Sequence, residues 1–173
     1  MIAAVVLASA STVAVAAVSG GFRSASEAPN GKCSAPALPG TVVDVRVVDM
    51  GGRMMMGAWG AGMMRVLTSR VQIPAGTVSF RVANAGSLVH ELVVLRLPAG
   101  QGVGQRTIGT DGRVDETGSA GEASRTCGAG AGDGIDPGTI GWTTLDLVPG
   151  PYELLCNLSG HYAAGMYAVL YVP

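Results

Sequence analysis

Residues 152–172 read YELLCNLSGHYAAGMYAVLYV. Tyr152 to Cys156 and Met166 to Val172 are largely apolar, and each is short enough for one strand. Between them lie nine residues, with Gly160 and Gly165 as bends that turn the chain back. The turn brings the thiol of Cys156, the imidazole of His161 and the thioether of Met166 into one short loop between two strands.

Working outward, the same strand pattern recurs. Thr41 to Asp49 alternates apolar and polar residues and is rich in Val, which predicts a strand with one buried face. Further strands are predicted over Arg65 to Ile73, Thr77 to Ala83, Val89 to Leu97 and Thr139 to Leu147, the last with Trp142 as a core candidate. Pro74-Ala75-Gly76, Asn84-Ala85-Gly86 and Pro149-Gly150-Pro151 are the turns between them. Residues 99–138 contain twelve glycines and little periodicity. So long a loop inside a compact domain is expected to be functional or to carry structure of its own. Asp115 to Cys127 is the part expected to hold a short helical turn. These strands, separated by Gly/Pro turns and without an amphipathic helix, predict an all-β fold of about seven to eight strands, an antiparallel sandwich or Greek-key barrel with long Gly-rich loop insertions.

The chain has 173 residues, which fits one domain with extra length. Eleven basic and twelve acidic residues nearly cancel, and no Lys/Arg cluster marks a nucleic-acid or polybasic membrane surface. Residues 1–22 carry no charged side chain and are mostly Ala and Val, which reads as a secretory signal peptide. The alternative is an uncleaved membrane anchor, since the run approaches the ~20 residues that span a bilayer. Either way the domain, residues 41–173 beyond a polar linker at 23–40, is expected outside the cytoplasm. Of the three cysteines, Cys33 and Cys127 remain as a pair if Cys156 binds metal, and a disulfide between them suits an oxidising compartment. The alternative is two unrelated free thiols.

A lone His on a strand is more often structural than ligating, and a lone buried Cys is more often a core thiol. Met166 by itself reads as packing. Together they change meaning. A soft thiolate, an imidazole and a weak thioether suit copper, and two His and one Cys with an axial Met form a blue-copper donor set. Zinc prefers more Cys or His and seldom takes Met, and an iron–sulfur cluster needs several Cys. The chain contains two histidines. His90, on the strand predicted from Val89, is therefore the remaining candidate ligand.

This arrangement, a His at a strand start followed by Cys-x4-His-x4-Met near the C-terminus, resembles the cupredoxin family of blue (type 1) copper proteins. The segment Tyr152 to Val172 is most similar to its rusticyanin- and sulfocyanin-like members, and the resemblance extends over roughly Thr41 to Pro173. It implies a Greek-key β-sandwich and one copper held by His90, Cys156, His161 and Met166. His161 would be the ligand nearest solvent, with an apolar rim of Leu158, Tyr162, Ala163 and Ala164 through which a redox partner exchanges an electron. Many members carry Asn after the first His, where it ties the two ligand loops together; here that residue is Glu91. A red-copper branch uses a Glu ligand, so Glu91 is weighed as one, but neighbours on a strand point to opposite faces. Asn84 or Ser87 is the candidate for the hydrogen bond that supports the ligands from behind.

Met50, Met54, Met55, Met56, Met63 and Met64 supply six of the eight methionines, among Gly51, Gly52, Gly57, Gly60 and Gly62. Three readings stand: gap-filling side chains over the sandwich, a second site that captures Cu(I) through Met54, Met55, Met56, Met63 and Met64, or a cover that shapes partner docking. The expected function is an exported, monomeric one-electron carrier that cycles copper between Cu(I) and Cu(II). The alternative is Cu(I) storage, delivery or resistance through the methionines. An enzyme is not expected, because multicopper oxidases and copper nitrite reductases need more histidines or further domains.

Overall fold

The computed structural model describes residues 33–49 and 64–173. The expected leader (1–22), the first part of the linker, and Met50, Met54, Met55, Met56 and Met63 lie outside them. The described residues form eight strands and no helix: β1 (Thr41–Asp49), β2 (Met64–Thr68), β3 (Gly76–Asn84), β4 (Leu92–Arg96), β5 (Ser119–Ala123), β6 (Ile140–Leu147), β7 (Gly150–Leu155) and β8 (Tyr167–Val172). They make two four-stranded sheets, ordered β2-β1-β3-β6 and β5-β4-β7-β8. β1 and β3 run parallel, and the other paired strands run antiparallel. The chain changes sheet between β3 and β4, β5 and β6, and β6 and β7, as the Greek-key expectation requires.

Alternation explains the core. Val43, Val45 and Val47 of β1 and Val78, Phe80 and Val82 of β3 point inward from one sheet. Leu92 and Val94 of β4, Leu154 of β7, and Leu170 and Val172 of β8 meet them from the other. β4 does not alternate, and its next-door residues show why. Val93 and Leu95 face away from this core into a second cluster with Leu155, Val114 and Tyr162. The long Gly-rich insertion supplies Val114 and so covers the outer face of β4 and β7. Gly104 makes one close approach in that cover. Its φ is +79°, and a Cβ there would lie 2.4 Å from the Tyr167 ring.

Three local expectations are corrected. The strand expected over Arg65 to Ile73 ends at Thr68. Ser69 N–H then bonds Asp44 O at 2.8 Å, and Ile73 N–H bonds Tyr171 O at 3.0 Å, so the chain leaves one sheet edge for the other. The helical turn expected within Asp115 to Cys127 is instead β5, paired antiparallel to β4. An Asx turn, with Thr117 N–H donating to Asp115 Oδ1 at 2.9 Å, aims the chain onto that edge. Trp142 lies outside the main core, half-buried in a small cluster with Ala83, Ile140, Cys33 and Ala35.

Cys33 and Cys127 are joined by a disulfide across 94 residues of sequence. Cys127 N–H also bonds Ile140 O at 2.7 Å, so the bridge pins the N-terminal segment to the loop that precedes β6. A loop of this size constrains the unfolded chain strongly, about 4.7 kcal/mol at 100 residues in the chain-entropy account. The Cys33→Ser, Cys127→Ser double variant is expected to lose about 2–5 kcal/mol in a denaturant titration without losing its sandwich fold.

Candidate metal centre

The ends of the strands converge at one end of the sandwich. β1 and β3 are parallel, so Asp49 and Asn84 lie at the same end. β7 is antiparallel to β4, so the β7–β8 loop returns to the point where β4 begins. His90 stands just before β4 in an isolated bridge to Ile135, with His90 N–H donating to Ile135 O (3.2 Å) and Ile135 N–H to His90 O (2.7 Å). Cys156 follows β7 directly, and Met166 immediately precedes β8.

The β7–β8 loop closes on its own backbone. Cys156 N–H donates to Met166 O at 3.1 Å, and Met166 N–H to His161 O at 3.2 Å. Gly160 and Gly165 have φ of +82° and +90°, the left-handed bends that the sequence predicts there. The resulting donor set is tight. Cys156 Sγ lies 3.3 Å from His161 Nδ1 and 4.0 Å from His90 Nδ1, and the two Nδ1 atoms are 3.2 Å apart. All three donor atoms fall within 4.8 Å of one another. His90, Cys156 and Met166 are fully buried, whereas His161 is only partly covered.

Burial pushes the Cys156 thiol up to about 12, so without a metal it holds its proton. Burial, and then the adjacent His90, lower the His161 imidazole, which favours its neutral form. A neutral imidazole and a thiol whose proton a cation can replace are the groups that ligation needs. The donors are soft, close together and aimed at one another, so the residues present fit a copper ion.

The surroundings were only partly legible. Glu91 does not join the donor cluster. Its carboxylate accepts the Asn157 N–H at 3.0 Å, and its own N–H points at Cys156 Sγ at 3.4 Å. It therefore ties the two ligand loops together, the role expected of Asn at this position. Burial raises its carboxyl to about 7. Asn84 does not touch a ligand. It braces the preceding turn through Nδ2 bonds to Leu88 O and Ile135 O, both 2.7 Å. Ser87 does not reach His90 either; it anchors Asp49, which does, at 2.9 Å from His90 Nε2. Sequence reading missed Asp49, whose only signal was a carboxylate at the inner end of a strand.

Asn157 was missed as well. It is buried next to Cys156, and its side chain accepts Val114 N–H at 2.7 Å and donates to Val114 O at 2.9 Å. Ser159 Oγ donates to Asp111 O (2.6 Å) and Gly160 N–H to Gly112 O (3.0 Å). The Gly-rich insertion thus carries structure and braces the ligand loop. Tyr162, expected on the apolar rim, is turned inward and buried. Its O–H donates to Glu153 Oε1 at 3.0 Å, and it accepts Arg106 N–H at 3.1 Å. Burial, together with that carboxylate, raises the phenol to about 12. Leu158, Ala163 and Ala164 retain exposure.

Of the methionines weighed for a second site, Met64 is described. It opens β2, pairs with Asp49 and packs half-buried against the core. Its N–H bonds Ala164 O in the ligand loop at 3.3 Å.

Comparison with known proteins gives a family match. The Sulfocyanin (SoxE) domain matches residues 58–173, well over half of the chain. No curated protein matches. Among solved structures, auracyanin from Roseiflexus castenholzii is 19% identical over 79% of this chain and 99% of that chain, with a TM-score of 0.46. Reduced rusticyanin is 21% identical over 78% and 81%, with a TM-score of 0.45. Auracyanin A from Chloroflexus aurantiacus, a "blue" copper protein, is 15% identical over 76% and 99%, again at 0.45. The sandwich itself rests on the strand pairing described above. Since the matched domain runs from before β2 to the last residue and holds His90, Cys156, His161 and Met166, the chain belongs to the sulfocyanin (SoxE) family.

Proposed function

We propose that this protein is an exported one-electron carrier. One type 1 copper, which supplies the Cu(I)/Cu(II) couple when bound, would be held by His90, Cys156, His161 and Met166. The observation that carries this reading is the convergence of two imidazoles and one thiol within 4.8 Å, where His90 meets a loop that holds Cys156, His161 and a buried Met166. The chain's own residues do the rest. Backbone closure of the 156–166 loop and the His90–Ile135 bridge hold the donors on a rigid frame. Little rearrangement is then needed between oxidation states, as pre-organised sites require. His161, partly exposed, is the route to a redox protein that docks over Leu158, Ala163 and Ala164.

The disulfide supports a location outside the cytoplasm, since such bridges persist in oxidising compartments. In this reading residues 1–22 direct export, as a cleaved signal or a retained anchor, and the carrier acts as a monomer on no organic substrate. The test is an optical redox titration of copper-loaded protein. An intense visible band that bleaches and returns with one electron per protein is the expected result. A colourless Cu(II) protein, or one that takes up Cu(I) alone, would sink the reading.

A further inference from the structure

Asp49 is a buried carboxylate that carrying an electron does not by itself require. Its side chain is 5% exposed, and that of His90 is 0% exposed. Burying a carboxylate is costly unless charge-assisted hydrogen bonds offset it. Asp49 receives such bonds: from Ser87 N–H (2.7 Å) and Leu88 N–H (3.1 Å) to Oδ1, from Ser87 Oγ (2.5 Å) to Oδ2, and from His90 Nε2 (2.9 Å) to Oδ1. An ionised carboxylate only accepts, so the His90 proton must sit on Nε2. Nδ1, the atom that faces Cys156 and His161, is left with its lone pair. The carbonyl of Ile135 is already taken by His90 N–H and by Asn84 Nδ2. The imidazole N–H therefore goes to a full negative charge rather than to this backbone dipole.

We infer that Asp49 is a positioning residue for the copper couple: it fixes the tautomer of His90 and biases the site toward the oxidised ion. The inference rests on the carrier reading above. The physical reason is charge. A carboxylate on the far nitrogen makes the imidazole a stronger donor, and the stronger donor favours Cu(II), which carries one more positive charge than Cu(I). Asp49 also ends β1, so its place is set by the strand register and not by a free loop.

The variant is Asp49→Asn, which keeps the size and removes the charge. Ser79→Ala is the control, since it removes the part-buried hydrogen bond from Ser79 of β3 to Pro39 O and touches none of the donors. For Asp49→Asn the Cu(II) affinity is expected to fall about 10–100-fold, the Cu(I) affinity to fall less, and the reduction potential to move upward. Ser79→Ala is expected to lower stability and leave the potential where it is. If Asp49→Asn leaves the potential unchanged, or if both variants move it alike, the inference is overturned. An independent reading uses the metal-free wild-type protein: ¹⁵N-resolved NMR is expected to show His90 as the Nε2–H tautomer. Finding the Nδ1–H tautomer overturns the inference even if the protein proves to carry no blue copper. Failure of the carrier reading is recognised separately, by a colourless wild-type Cu(II) protein.

Discussion

Cys156→Ser is expected to abolish the intense visible band of the copper(II) protein altogether. The band requires a thiolate bonded to the metal, and the chain offers one free cysteine; the other two are bridged. No neighbouring thiol can replace it, because the other two members of the cluster are imidazoles. Ser keeps the shape of the loop but not a soft anion, so His90, His161 and Met166 remain as a weak, neutral set. Cys156 is also fully buried within the core cluster, so a hydroxyl there carries a desolvation cost of about 1–3 kcal/mol. Visible absorption of the Cu(II)-loaded variant beside far-UV circular dichroism separates the two effects. A folded variant that keeps its band would remove Cys156 from the ligand set.

The second large effect is expected away from the metal. Arg106→Ala should cost about 3–5 kcal/mol, because removing one partner of a buried ion pair strands the other. Arg106 Nε lies 2.5 Å from Glu153 Oε2, and the Glu153 side chain is fully buried. The other Glu153 oxygen accepts Gly104 N–H at 2.6 Å and the Tyr162 hydroxyl at 3.0 Å. Arg106 also donates to Arg96 O at 2.8 Å, which secures the insertion to the end of β4. Against a typical domain stability of about 5–15 kcal/mol, the loss is large. Glu153 is on β7 just before Cys156, and Tyr162 directly follows His161, so the damage reaches the ligand loop. Urea titration measures the loss. An Arg106→Met, Glu153→Gln double variant is expected to recover part of it, because no charge is then left buried and the amide oxygen still accepts from Gly104 N–H and the Tyr162 hydroxyl. Equal losses in the single and double variants would show that the pair matters only as packing.

Local chemistry made much of this legible. Alternating Val residues identified β1 to its first and last residue, because one buried face forces a period of two. Gly160 and Gly165 were readable as bends because few other residues take a positive φ cheaply. β5 was not readable. Ser119–Ala123 is a short, glycine-bearing edge strand whose pairing comes from β4, not from its own apolar pattern. Tyr162 was misplaced on the rim because its neighbours are small and apolar. Its position follows instead from Glu153 and Arg106, which are distant in sequence and give its hydroxyl buried partners.

The sequence by itself determined the candidate donors and the all-β class. Both follow from residue type and short spacing: Cys156, His161 and Met166 share one loop, and the chain holds one further His, His90. What only the tertiary structure decided is everything that holds those donors. Asp49 comes to His90 because β1 runs parallel to β3, and Glu91 reaches the Asn157 N–H because β4 pairs with β7. A Gly-rich insertion becomes a brace because Asn157 and Tyr162 find partners in it. These are contacts between polar groups far apart in the chain. Each one depends on strand register and on burial that makes an unpaired partner costly, and neither is written in the spacing of the residues themselves.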